Sequence, residues 1–351
     1  MTTPHIQYPL AAIACAAIGL TGITTSDGVQ AQELVKTEKI SIHSNVYQPV
    51  YNPKDGFVYV SGAGPRDGIG KVYKIHAQTL ETVDSIAVPE SAPMGLGISL
   101  NTQTLYTTNS RTGIVTAIDL ATGKQTHITT GQEGQAPREI RVDESRDLVY
   151  ASSVRGGGLW VIDAKTNKFV KFYGDLGGAI TGHYIDEKNN IIYATAMRDN
   201  EVVVVDGATG KVLKKFAAHG ERPTNVHHDA KNNRLYVANQ TTENITVLDA
   251  ETGKLIKAIP TGAGALGVNH DPKRGKIYVA NRHGRTVTVI DDASLEVLKT
   301  FEIGALPNTV AINHATGDVY VTNKEAVRGR EENAPEPVPA PNADSISLIK
   351  L

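Results

Sequence analysis

Seven tyrosines, Tyr59, Tyr106, Tyr150, Tyr193, Tyr236, Tyr278 and Tyr320, follow one another at intervals of 47, 44, 43, 43, 42 and 42 residues. A repeat of roughly 40–45 residues belongs to four-stranded propeller blades, provided each unit reads as strands and not as helices. The unit around Tyr236 does: Pro223–Asp229, Arg234–Asn239, Asn244–Asp249 and Lys254–Ile259 are short runs rich in β-branched and apolar residues. Turn-forming clusters separate them, giving strands a, b, c and d of one blade.

A second ruler fixes the register. Asp119, Asp163, Asp206, Asp249 and Asp291 each lie 13 residues after their tyrosine, where strand c hands over to strand d. An aspartate there can accept local backbone hydrogen bonds, and the glycines that follow in three units (Gly123, Gly210, Gly253) can take the positive φ of a tight hairpin. Two blades depart from the pattern. In blade 1, His76 takes the Asp position four residues late, after an insertion around 62–70. In blade 7 the position falls on Lys350, displaced by 17 residues through a proline-rich loop at 331–342. That leaves blade 7 without a strand d, and the strand-like segment Leu34–Ile42 is expected to supply it. The fold expected is all-β: a single seven-bladed β-propeller over residues 32–351, its ring closed by an N-terminal strand so that no sheet edge is left open.

Residues 1–31 read as an export signal. Leu10–Leu20 is an alanine-rich apolar run, too short to span a membrane, and Val29-Gln30-Ala31 fits a signal-peptidase site with a mature start at Gln32. The expected location is periplasmic or secreted. Cys15, the sole cysteine, lies in that run, so the mature chain would carry no thiol chemistry, disulfide, Cys-ligated zinc or covalently attached haem. The formal net charge of −2 implies no bulk attraction to nucleic acid or membrane; such binding needs a local patch.

Val319-Tyr320-Val321-Thr322-Asn323 contains a YVTN motif, with variants at Tyr236–Asn239, Tyr278–Asn281 and Tyr106–Asn109. On these motifs the chain resembles the YVTN-repeat β-propellers, and among them the periplasmic YncE-like proteins. That resemblance implies an exported propeller that binds single-stranded DNA and has no established enzymatic activity. Blades 3 and 4 depart from the motif at Tyr150–Ser153 and Tyr193–Ala196, which puts the role of the asparagine there in question.

In a propeller the d-to-a and b-to-c loops open on one face around the central channel. Arg111, Arg155 and Arg198 lie five residues after their repeat tyrosines, entering the b-to-c loop; Arg282 and His283 in blade 6 and Lys324 in blade 7 lie nearby, and Arg138 and Arg222 come from the d-to-a side. These eight residues are the candidate site for an anion, because guanidinium forks suit phosphate and carboxylate. The competing reading makes them solvated loop cations, some paired with Asp199, Glu139 or Glu221.

His183, His227, His228, His270 and His314 cluster on strands a and their flanks. Neighbouring inner strands are spaced widely enough that two imidazoles need not meet, so interblade polar packing is expected, with no metal and no cofactor. Gly262, Gly264 and Gly267 match a dinucleotide-binding spacing, but a strand follows where that motif needs a helix. Trp160, in strand c of blade 3, is expected in the interblade core. The insertions of blades 1 and 7 are expected to form one lip on the ligand face, with Pro335, Pro337, Pro339 and Pro341 stiffening it. The leading functional expectation is a monomeric, non-enzymatic binding propeller for an anionic ligand such as single-stranded DNA. A protein-interaction scaffold and a lactonase-like or quinoprotein-like enzyme remain as alternatives.

Overall fold

The computed structural model describes residues 34–40, 44–65, 69–89, 91–324 and 342–351. The segment expected to be an export signal, 1–31, residues 66–68 of the blade 1 insertion and 331–341 of the proline-rich loop lie outside these residues, and with them the lip expected of the two insertions. Among the described residues, twenty-eight strands form seven four-stranded antiparallel sheets, and six of the sheets take their strands in sequence order. Blades 1 to 6 begin with the inner strands β2 (Val46–Asn52), β6 (Leu96–Ser99), β10 (Pro137–Asp143), β14 (Ile180–Asp186), β18 (Pro223–Asp229) and β22 (Ala265–Asp271).

Blade 7 is assembled from both ends of the ring. Its strands are β26 (Pro307–Asn313), β27 (Asp318–Asn323), β28 (Ser345–Lys350) and, outermost, β1 (Leu34–Lys39). β1 pairs antiparallel with β28 from Leu34 opposite Lys350 to Lys39 opposite Ser345, and Thr37 Oγ1 meets Ser347 Oγ at 2.7 Å. Closure by the N-terminal segment is therefore observed, over a shorter strand than the sequence pattern suggested.

The repeat tyrosines explain why blades stack. Seven buried apolar clusters each join two adjacent blades, and each repeat tyrosine belongs to the cluster shared with the next blade: Tyr59 with Leu96 and Leu105, Tyr236 with Val268 and Ile277, Tyr320 with Val58 and Val60 across the seam. Full burial of such a side chain is worth about 2–3 kcal/mol. Trp160 is fully buried in the cluster between blades 2 and 3, and its indole N–H reaches Gln135 Oε1 at 3.2 Å.

Polar side chains set the spacing that this packing stabilises. The c-to-d aspartate works as expected: Asp119 Oδ1 accepts the backbone N–H groups of Ala121 and Thr122 and the Thr122 hydroxyl, ahead of Gly123 at φ 71°. In blade 1, His76 Nδ1 accepts the N–H groups of Gln78 and Thr79 instead. The motif asparagine ties strand b to strand c, as where Asn281 Nδ2 donates to Thr286 and Thr288. In blade 3, Ser153 accepts the Gly156 and Ala136 N–H groups in its place. Outer lysines bridge to the next blade: Lys171 Nζ donates to Ala208 O at 2.7 Å, Lys214 to Glu251 O at 2.8 Å and Lys257 to Leu295 O at 2.9 Å. Lys36 of β1 makes the same bond to Thr79 O at 2.7 Å, so the closing strand carries the same interblade bridge as an ordinary strand d.

Deleting residues 32–42 removes six ladder pairs and this bridge, and exposes β28 as a bare edge. The melting temperature should fall by roughly 10 °C. An unchanged melting curve of the deletion protein by circular dichroism would show that β1 is dispensable for closure.

Candidate functional site

The inner strands carry alternate side chains toward the axis, and their starts open on the face where the b-to-c loops emerge. Tyr47 on β2, Arg138 on β10 and Asn308 on β26 occupy one repeat position, 12 residues before their tyrosines. Arg282 follows strand β23 (Lys276–Asn281) and Lys324 follows β27. Asn308 links these elements: its Nδ2 donates to Tyr47 O at 2.8 Å, and its Oδ1 accepts from Arg282 Nη1 at 2.6 Å. The Thr322 hydroxyl also donates to Tyr47 O, at 2.7 Å. Lys324 Nζ stands 5.0 Å from the centroid of the Tyr47 ring. From blade 3, Arg138 Nη1 reaches across to Thr224 O of blade 5 at 3.5 Å.

Electrostatics show how closely these groups converge. Burial alone would raise the Tyr47 phenol, yet the charges of Arg138, Lys324 and Arg282, with Arg138 also directed at the hydroxyl, bring it below its ordinary value of 10. Burial depresses Arg282 below the usual guanidinium range, and the charge of Arg138 adds to this. Lys324 is depressed by burial and then by Arg282 and Arg111, against the opposing pull of Tyr47 and Asp344. Partly buried cations that repel one another are a standing cost, which a bound anion would relieve.

Of the eight candidate residues, the structure gathers Arg138, Arg282 and Lys324 around Tyr47, with Arg111 close enough to act on Lys324. The others do not join this group. Arg155 donates from Nη2 to Ser110 O of blade 2 at 2.7 Å. Arg222 is exposed, with its Nη2 at 3.9 Å from Met197 Sδ, and Arg198 and His283 are exposed on their loops. Two of the acidic partners considered for these cations, Glu139 and Asp199, are engaged elsewhere. Glu139 is buried and accepts from Arg141 Nε and Nη2 at 3.1 and 3.0 Å and from Asn225 Nδ2 at 3.0 and 3.2 Å; Asp199 Oδ2 accepts the Gly178 N–H at 2.6 Å.

This Glu139–Arg141–Asn225 group joins blades 3 and 5 across the channel. It also lines a cavity of about 430 Å³, together with Tyr51, Glu144 and His314. Residues 160–330 match a family model described as a YncE-like β-propeller. Over that span the chain is similar to that family. The uncharacterized protein YncE of Escherichia coli O157:H7 is 27% identical over 171 residues, covering 46% of this chain and 48% of the relative. Its counterpart from Salmonella typhi is 28% identical over 156 residues, 40% and 43% of the two chains. The chain thus spans about half the length of the curated relatives it matches. A Kuenenia stuttgartiensis hydrazine synthase chain superposes with a TM-score of 0.69 at 16% identity, covering 81% of this chain and 94% of that one, a likeness of fold.

The YncE-like span contributes Arg282, Lys324 and Asn308 to the mouth, and Tyr47 and Arg138 come from outside it. Tyr47 and Asn308 were missed as site residues by sequence reasoning, although their shared repeat position with Arg138 was a readable signal. The YncE-like span also supplies most of the channel's opposite end. There the imidazoles do meet, contrary to expectation: the His227 and His270 rings are 5.7 Å apart, and Tyr184 lies 4.4 Å from His227.

Burial holds Tyr106, Tyr150, Tyr236 and Tyr320 above the ordinary phenol range, whereas Tyr47 lies below it. A folded value below the unfolded one means that the ionised phenol favours the fold. This contribution appears only as pH rises through the folded value toward 10. Absorbance at 295 nm should show a tyrosinate step below pH 10 that Tyr47→Phe abolishes. A titration identical in the two proteins would contradict the cation cluster.

Proposed function

We propose that this chain is an exported, non-enzymatic binding propeller whose channel mouth takes an anionic group of its ligand. The observation that carries the reading is the convergence of Arg138, Arg282 and Lys324, with Arg111 near, on one phenol, where their side-chain partners are neutral oxygens and the Tyr47 ring. Such a site offers charge-assisted hydrogen bonds to a phosphate or carboxylate. The exposed Arg155, Arg198 and Arg222 carry positive charge outward on the loops of blades 3, 4 and 5. A single-stranded phosphodiester backbone, with one phosphate at the mouth and others toward the rim, is the ligand this distribution favours. Tyr47 and Tyr51 offer little stacking surface, so affinity should come chiefly from phosphates.

Fluorescence anisotropy with a labelled oligothymidylate, repeated across salt concentrations, tests this. Arg282→Ala with Lys324→Ala should weaken binding by about tenfold or more and flatten the salt dependence by roughly 0.7 for each phosphate no longer engaged. Arg111→Ala, Arg155→Ala and Arg198→Ala together should lower the slope with a smaller loss of affinity, and the fold should be unaffected because exposed substitutions usually change stability by no more than about 0.5 kcal/mol. Undiminished binding and an unchanged slope in both variants would return these residues to ordinary solvated loop cations. Binding of inorganic phosphate, read by calorimetry, without oligonucleotide binding would reassign the mouth to a small anion.

A further inference from the structure

The end of the channel away from the cationic mouth has a different chemistry. Tyr184, His227, His228, His270 and His314 line one cavity of about 330 Å³ where blades 4 to 7 meet. Three of the four imidazoles have a carboxylate behind them. His270 Nε2 is 2.8 Å from Asp292 Oδ2, His314 Nδ1 is 3.5 Å from Asp271 Oδ1, and His228 Nδ1 is 3.7 Å from Asp186 Oδ2. At His270 and His314, a carboxylate that accepts one ring N–H fixes the tautomer and leaves the other nitrogen with a free lone pair, the arrangement that orients metal-ligating histidines.

His227 lies at the centre of this group. It is 8% exposed, its Nδ1 is buried without a hydrogen-bond partner, and its ring touches those of Tyr184 and His270. A buried polar nitrogen left in this way calls for an explanation.

A more compact trio lies alongside. Asp229, His270 and Asp292 bring one ligand atom each within 4.8 Å of one another. Asp229, however, is already committed: Oδ1 accepts the N–H groups of Lys231 and Asn232, and Oδ2 accepts from Asn232 Nδ2 and the Tyr236 hydroxyl. An oxygen-ligated hard cation would have to break this turn, which leaves the imidazoles as the available donors.

We propose that this cavity binds a divalent transition ion that prefers imidazole, Cu²⁺ or Zn²⁺, through His227, His270 and His314 from three consecutive blades. Imidazole nitrogen donors select such ions over Mg²⁺ and Ca²⁺. The His314 side chain is 57% exposed and already lines the cavity, where it can complete the ligand set. Asp292 acts from behind His270 as a positioning residue, holding the ring with its Nδ1 lone pair available.

The test is titration of the chelator-stripped full chain with CuCl₂ and ZnCl₂, read by calorimetry, with Cu²⁺ electron paramagnetic resonance to detect nitrogen ligation. One equivalent should bind with nitrogen hyperfine structure. His314→Ala, at an exposed position, and Asp292→Asn should each weaken it about 10–100-fold. His227→Gln should abolish it; if that variant fails to fold, His314→Ala decides alone. Unchanged affinity and spectrum in His314→Ala, or binding of MgCl₂ as tight as that of ZnCl₂, would overturn the proposal.

Discussion

Everything in this molecule depends on burying one tyrosine per blade against the next blade. A four-stranded sheet has two apolar faces and cannot cover either by itself, so each blade is stable only between neighbours. At about 2–3 kcal/mol per ring, this burial outweighs the exposed lysine bridges, whose charge-assisted bonds at the surface are worth about 1 kcal/mol or less each. The bridges and the motif asparagines choose a geometry among those that packing already favours. The tyrosine spacing can therefore tolerate long insertions in blades 1 and 7, because the wedge position is kept while the loops vary.

The axis separates two environments. At one mouth, Tyr47 and its cations hold positive charge, and Asp344 opposes its effect on Lys324 only in part. At the other, imidazoles are backed by aspartates. Between them, Glu139 is shared by Arg141 and Asn225 and joins blades that are not adjacent. Repeat symmetry is broken along the inner strands: equivalent positions hold Arg141, Tyr184, His227 and Asn269. The outer strands preserve the architecture, and the inner ones are where seven similar units acquire different chemistry.

The fold was legible because its determinants recur. Tyr236, Asp249 and Asn239 each make an interaction that their counterparts repeat, so a period in the sequence becomes a period in space. Even the departure at His76 was readable, since a ring nitrogen can accept the same turn hydrogen bonds as an aspartate. The site was only partly legible. Repeat position alone grouped Arg111, Arg155 and Arg198, but equivalent positions on a ring diverge outward as readily as they converge. Convergence depends on reach: Arg138 crosses from blade 3 to blade 5, and Asn308 fixes Arg282, neither of which a spacing can show. The meeting of imidazoles was missed for the same reason, because His227 meets His270 by turning its ring across the gap between blades.

The pairing of β1 with β28 also sets an order of events. Its two partners are among the most widely separated in the sequence of any strand pair in the ring, so bringing them together must overcome nearly the largest loop-closure entropy the chain can present. During synthesis β1 emerges first and has to wait, as an unpaired edge, until blade 7 follows it. Ring closure therefore has the largest loop to close, and until it happens β1 and β28 are edges open to mispairing with another chain.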